Sequence, residues 1–208
     1  MRLVAEGLAC RRGMRQLFEN LDFTLSSGRA LIVTGPNGTG KSSLLRLLAG
    51  LAAPAAGVVR LEGAPEPEDF AEEVHYLGHL DAHKPALSAQ ENLAFWRDVL
   101  GRPARTVAEA LEEVGLGGLG GLPVAVLSAG QKRRLALARL LVSDRPLWLL
   151  DEPTTALDVA AQARFSALAH AHVEKGGLIV AATHAPLDFG PSQGLDLGAY
   201  RPARPVAA

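Results

Sequence analysis

The sequence predicts an α/β protein built on a mostly parallel sheet, with an antiparallel β part near its N-terminus and a helical sub-domain inserted in the middle. Three observations predict it. Apolar runs at Arg29–Val33, Leu147–Leu150 and Leu178–Ala182 have the length of strands, and the last two lack any polar residue, as strands buried on both faces do. Each run leads into polar residues. The segment 89–142 between the first and second runs instead reads mainly as helix.

In chain order, residues 2–6 and 21–25 read as short strands, the second by strict alternation in Leu21-Asp-Phe-Thr-Leu25. Ser26-Ser27-Gly28 is a turn. The strand Arg29–Val33 then runs into Gly35, Pro36, Asn37, Gly38, Thr39, Gly40, Lys41 and Ser42, followed by a helix from Ser43 that stops at Gly50. This octet fits G-x-x-x-x-G-K-[ST], the phosphate-binding loop, in its required strand–loop–helix setting. Such a loop aims backbone N–H groups and a helix N-terminus at one point, which suits a polyphosphate. Lys41 is a compact ammonium for the outer phosphates, and the Ser42 hydroxyl is a Mg²⁺ ligand. Residues 58–62 read as a strand, 63–69 as a Pro/Glu-rich surface loop, and 74–78 as a further apolar strand ending at His79.

Ser88 and Glu91 form a capping-box pattern that starts a helix at 89–100; further helices are predicted over 106–114 and 129–142. Gly115-Leu-Gly-Gly-Leu-Gly120 spells G-x-G-x-x-G, but it follows a helix rather than a strand and reads as a flexible connection. Val159–Lys175 is helical. From Pro191 the chain, with Pro202 and Pro205, reads as poorly structured. The organisation predicted is one domain over 1–208. Residues 1–84 and 143–190 form the α/β core, 85–142 the helical sub-domain, and 191–208 a short tail.

Composition narrows the class. The chain has 208 residues, enough to bury about 70% of its extended surface. Apolar residues make up 48%, charged residues 21%, and the net charge is −1, with no basic excess to suit a nucleic acid. The single cysteine, Cys10, excludes an internal disulfide framework. The N-terminus lacks the apolar run of a signal peptide, and no stretch approaches the ~18 apolar residues of a membrane span, so contact with a membrane is expected only through a partner.

The polar residues that follow the strands carry the chemistry. In open parallel sheets ligands bind beyond the carboxyl ends of the strands. There Asp151 would hold Mg²⁺ and Glu152, one residue on, would polarise a water against a γ-phosphate. His184, after the third run, would stabilise charge developing on that phosphate. Ser128, Ala129, Gly130 and Gln131 open a helix with small residues that leave N–H groups uncovered, a second anion site of the same physical kind.

With two such helix starts in one chain, the sequence resembles the ATP-binding cassette ATPases, P-loop NTPases of RecA-like fold that serve ABC transporters. Gly35–Ser42 resembles their Walker A loop, Leu127–Gln131 the signature motif, Leu147–Glu152 Walker B with its glutamate, Ala156-Leu157-Asp158 the D-loop, and His184 the switch histidine. The resemblance implies ATP and Mg²⁺ as cofactors. It also implies a head-to-tail homodimer in which each ATP lies between Walker A of one chain and Ser128–Gln131 of the other, with Asp158 nearby.

Tyr76–His79, the Leu127–Leu140 stretch and Leu147-Trp-Leu-Leu-Asp-Glu-Pro further resemble the ATPase subunits of cytochrome c biogenesis, the haem exporter branch. That branch implies docking at the cytoplasmic face of a bacterial inner membrane on a polytopic CcmB-type subunit with haem-handling partners, through a groove expected in region 79–100. Two positions depart from the family pattern. His79 stands where a glutamine is usual, and Arg12 stands near the missing adenine-stacking aromatic, which a guanidinium can replace. Another ABC transporter with a different cargo, or a soluble ABC switch acting on nucleic acid, are the competing readings; a single compact cassette without a basic stripe disfavours the switch. His75, His79 and His83, spaced by four, lie on strand and loop and are not expected to meet. His170 and His172 are expected on a solvated helix face, and Cys10 in the core.

Overall fold

A computed structural model describes residues 1–64 and 67–202. Five strands, β3 (Arg29–Thr34), β5 (Val74–Leu77), β6 (Leu147–Asp151), β7 (Leu178–Ala182) and β8 (Ser192–Asp196), form an all-parallel sheet in the order β5-β6-β7-β3-β8. The three apolar runs are its central members. Alternate residues of these strands feed two cores. Leu31, Val33, Leu149 and Val180 pack on one side with α1 (Lys41–Leu48). Trp148, Leu150, Ile179 and Ala181 pack on the other with α4 (Ala129–Val142) and α5 (Val159–Glu174). This two-sided burial explains why the β6 and β7 runs carry no polar residue before Asp151 and Thr183.

The antiparallel part is larger than the sequence suggests. β1 (Arg2–Arg12) and β2 (Arg15–Ser26) form a long hairpin, with β4 (Ala56–Glu62) on the other edge of β1. The register shifts between Ala5 and Leu8, between Leu8 and Cys10 and again at Arg11, so the buried positions of β1 lose period two and hide the strand's length. Cys10 is buried in this core, as expected.

The helices α2 (Ala89–Leu100) and α4 begin where the sequence places them, because reciprocal capping boxes at Ser88/Glu91 and Ser128/Gln131 form. The helix α3 (Val107–Glu113) is started by a third box, Thr106/Glu109. The Gly-rich segment from Gly115 follows α3 as a turn.

The stretch from Pro191 is not the loose tail expected of it. Residues 192–196 are the edge strand β8, and Leu197–Tyr200 form a 3₁₀ turn. Edge position explains the misreading: only Leu195 of β8 is buried, so Ser-Gln-Gly-Leu-Asp shows no apolar pattern. The turn matters for function. A Cβ on Gly35 (φ 132°) would stand 3.2 Å from the Gly198 nitrogen, so the first residue of the phosphate loop rests against this segment. The last six residues of the expected tail, Pro205 among them, lie outside the described residues, as does part of the 63–69 loop.

Candidate functional site

The phosphate loop closes on itself. The Thr39 hydroxyl, buried, donates to the Pro36 carbonyl at 2.9 Å, and the Lys41 ammonium donates to the Gly35 carbonyl at 2.7 Å. Gly40, at φ 105°, is the N-cap of α1 and offers no side chain, so the first N–H groups of that helix keep no side-chain partner. Only glycine takes this backbone conformation readily, and a Cβ there would meet Leu17 and Phe18 at 3.2 Å.

Around this helix end lies a cleft of about 460 Å³, lined by Arg12, Arg15, Leu17, Asn37, Gly38, Gly40, Lys41, Ser42, Ser43, His79, Asp151 and Glu152. The sheet thus brings together ten of the residues singled out in the sequence. Asp151 ends β6 nearly fully buried, and its Oδ2 has no hydrogen-bond partner among the described residues. His79 Nε2 stands 3.4 Å from that oxygen, off hydrogen-bonding geometry. An orphaned buried carboxylate oxygen opposite the Ser42 hydroxyl is a donor set that fits a hard divalent cation such as Mg²⁺.

Glu152 follows in a left-handed backbone conformation, φ 46°, that non-glycine residues rarely adopt. Its amide still bonds to the Ala182 carbonyl at 2.8 Å, so the strand register carries through to the turn. His184 Nε2 lies 3.8 Å from Glu152 Oε1, beside the cleft rather than in its lining.

Ser128–Gln131 and Asp158 stand apart from this cleft. Ser128 Oγ accepts from the Gln131 amide at 3.2 Å, and Gln131 Oε1 accepts from the Ser128 amide at 2.8 Å. The start of α4 is therefore less bare than the small residues suggest, because the capping box already engages two of its amides. Gly130 packs closely: a Cβ would come within 2.9 Å of the Ala156 carbonyl. Asp158 caps α5, accepting from the Ala161 amide at 2.7 Å.

Two cleft residues, Arg15 and Leu17, escape the sequence reading. Arg12 and Arg15 face each other across the β1–β2 ladder, so both guanidinium groups reach one end of the hairpin. The readable signal is Gly13-Met14, a two-residue hairpin turn led by glycine. Leu17 joins them as the cleft's apolar wall.

The histidines sort as follows. His75 is buried against the Ser143 carbonyl at 3.0 Å, and the half-buried His83 contacts the Lys132 carbonyl at 2.9 Å, on separate elements. No cluster of metal-binding side chains exists among the described residues. His172 corrects an expectation: it is not solvated but stacks on Trp148 at 3.9 Å and contacts the Pro146 carbonyl at 3.1 Å. The polar face expected of α5 is interrupted there by the sheet's own tryptophan. Burial pushes the His75 imidazole down to about 3 and that of His172 to about 4.

An uncapped helix after a closed glycine loop, with an acidic strand end opposite, is the nucleotide site of a P-loop ATPase fold. The family model described as ABC transporter matches residues 18–155. The cytochrome c biogenesis ATP-binding export protein CcmA of Rhodopseudomonas palustris is 56% identical over 187 residues, covering 90% of this chain and 94% of that protein. An ABC transporter ATP-binding protein from Pyrococcus furiosus superposes with a TM-score of 0.82 at 22% identity, covering 97% of this chain and all of that one. A dimeric ATP-binding cassette in a post-hydrolysis state with ADP and Pi gives 0.80 at 23% identity, covering 94% and 95%. The chain belongs to the ABC transporter family, as one of its ATPases.

Proposed function

We propose that this chain is the ATP-hydrolysing subunit of a membrane complex for cytochrome c biogenesis, serving haem export or delivery. The observation that carries the reading is the 56% identity to a CcmA relative across 90% of the chain, with the nucleotide cleft intact. In this reading the cassette comprises an α/β core and the 85–142 helical sub-domain, and the core extends through Tyr200.

ATP binds with its outer phosphates on the amides of Gly35–Ser42 and on Lys41, which exchanges its bonds to the loop carbonyls for phosphate oxygens. Ser42 and Asp151 would hold Mg²⁺, which would supply neutralisation of phosphate charge. Glu152 takes the proton of a water that attacks the γ-phosphorus, while the bond to the bridging oxygen breaks and ADP leaves. His184 donates to the γ-phosphate. Arg12 stacks on adenine, and His79 reads the cleft through Asp151. Ser128–Gln131 and Asp158 of a second copy close over the same ATP in a head-to-tail homodimer.

No helix among the described residues is long and apolar enough to cross a membrane. The docking surface proposed is the 79–100 segment, where Leu80, Phe95 and Val99 are exposed. It would receive a polytopic CcmB-type subunit at the cytoplasmic face of the inner membrane. Asn92 braces this segment, bonding to the backbone of Lys84, Leu87 and Ser88.

The test is genetic and biochemical. Cells lacking the chain should lose covalently assembled c-type cytochromes, and Glu152→Gln should fail to restore them while trapping an ATP-bound dimer on a co-purifying membrane subunit. Normal cytochrome c levels in the deletion would overturn the biological role, and full turnover in Glu152→Gln would overturn the assignment of the base.

A further inference from the structure

The helix that opens with Ser128 also carries Arg133, and this arginine is nearly fully buried. All five of its N–H donors are used. Nε donates to the Pro153 carbonyl at 2.9 Å. One terminal nitrogen, Nη2, donates to the Asp151 carbonyl at 3.0 Å and the Glu152 carbonyl at 2.8 Å. The other, Nη1, donates to the Gly78 carbonyl at 3.0 Å and to Asp81 Oδ1 at 2.8 Å. One guanidinium on α4 therefore grips three consecutive carbonyls of the turn that displays Asp151 and Glu152, and both ends of the Gly78–Asp81 turn that displays His79.

We infer that Arg133 is a positioning residue for hydrolysis: it sets the Asp151–Glu152 turn and the His79 turn relative to one another and ties both to the start of α4. This rests on the assignment of Glu152 as the base. Three details support it. Glu152 sits in a left-handed conformation that its surroundings must hold, and the Arg133 fork is bonded to that very residue's carbonyl. Arg133 lies five residues after Ser128, on the same rigid helix, so a second copy that engages Ser128–Gln131 moves or fixes Arg133 as well. The five acceptors diverge in a planar fork, which a lysine, with three donors on one nitrogen, cannot satisfy. Among the described residues none of Arg133's hydrogen-bond partners lies in the phosphate loop, so nucleotide binding and the chemical step should respond differently to its loss.

The experiment compares wild type, Arg133→Lys, Asp81→Ala and Glu152→Gln, each as the full chain isolated from membranes with the subunits that accompany it. The readouts are kcat and KM for MgATP, the affinity for a non-hydrolysable ATP analogue, and the melting temperature. Arg133→Lys should lower kcat on the order of 10²-fold, the cost of misplacing a reacting group by about 1 Å, with KM and analogue affinity within about twofold. Asp81→Ala removes one of the five acceptors and should lower kcat less, again at constant KM; it stands as the deciding variant if Arg133→Lys does not accumulate. Unchanged kcat in the deciding variant overturns the inference. So does a parallel fall in kcat, analogue affinity and melting temperature, the mark of a merely structural arginine. An inactive wild type or a fully active Glu152→Gln would instead fail at the assignment of the site, which these two chains report separately from the Arg133 and Asp81 variants.

Discussion

The helix starts at Gly40 and Ser128 are built to opposite plans. α1 begins at a glycine with no side-chain cap, its amides left for a ligand and its lysine turned onto the loop's own carbonyls. α4 begins at a serine whose hydroxyl and amide are both engaged by Gln131 three residues on. The first terminus is organised to take a phosphate within a single chain. The second has two of its amides already engaged, so in the proposed dimer a phosphate brought by another chain would share this helix start with an existing hydrogen-bond box. The contrast teaches that one chain can leave one helix start open and close another; under the proposed head-to-tail dimer, nucleotide affinity would reside at α1 and α4 would respond to the second chain.

The largest expected effect breaks that contrast at its strong end. Lys41→Ala removes the only ammonium in the cleft, and turnover should fall by about 10²-fold or more with loss of ATP binding, read by equilibrium titration and phosphate release. Retained affinity would mean that the loop amides suffice alone. Next is Gly130→Ala. Its methyl would sit 2.9 Å from the Ala156 carbonyl, forcing the turn before Asp158 to shift. ATP-driven dimerisation, measured by light scattering in the Glu152→Gln background, should drop while monomer affinity for ATP holds; unchanged dimerisation would count against α4 as the closing element.

Ser128→Ala sharpens the comparison more gently. Losing the cap should cost about 1 kcal/mol, or roughly 2–4 °C in melting temperature for a chain of this size, without change in monomer affinity for ATP. A large affinity loss would show that the two termini are not separable.

The smallest effect concerns the scaffold shared by both. His75 and His172 are held neutral by burial, below the ordinary imidazole range. Below about pH 6.5 the unfolded chain binds protons that the folded chain refuses, so stability is full above that pH and falls as pH drops towards 4. The slope is at most about 1.4 kcal/mol per pH unit for each imidazole. Replacing His172 by Phe, which keeps the stack on Trp148, should flatten the acid limb of a melting-temperature profile; an unaltered limb would place the sensitivity elsewhere.

What the sequence makes legible follows from where the determining interactions lie. The start of α2 is readable because Ser88/Glu91 is a local pair, whereas at α4 the sequence places the helix start but not the Ser128/Gln131 box that covers two of its amides. β6 and β7 are readable because burial on both faces leaves no room for polar residues. The carboxylates and loop residues of the cleft are legible because chemistry restricts their type and order. The length of β1 is obscured by bulges, and β8 by its edge position, where only Leu195 needs to be apolar. Arg15 is hidden because its place depends on the pairing of Arg12 with it across the hairpin. Arg133 is hidden more deeply, since its partners lie 18 to 55 residues away and four of the five are backbone carbonyls, which any residue supplies.

The strand that carries the phosphate loop takes both of its neighbours from the far end of the chain. Among the described residues β3 pairs with β7 and β8 alone, and the loop's first glycine leans on Gly198. On the ribosome, a nascent chain that has exposed the complete loop therefore still lacks the partners that hold it in shape. The frame of the loop is complete only once β8 and the Gly198 turn are in place.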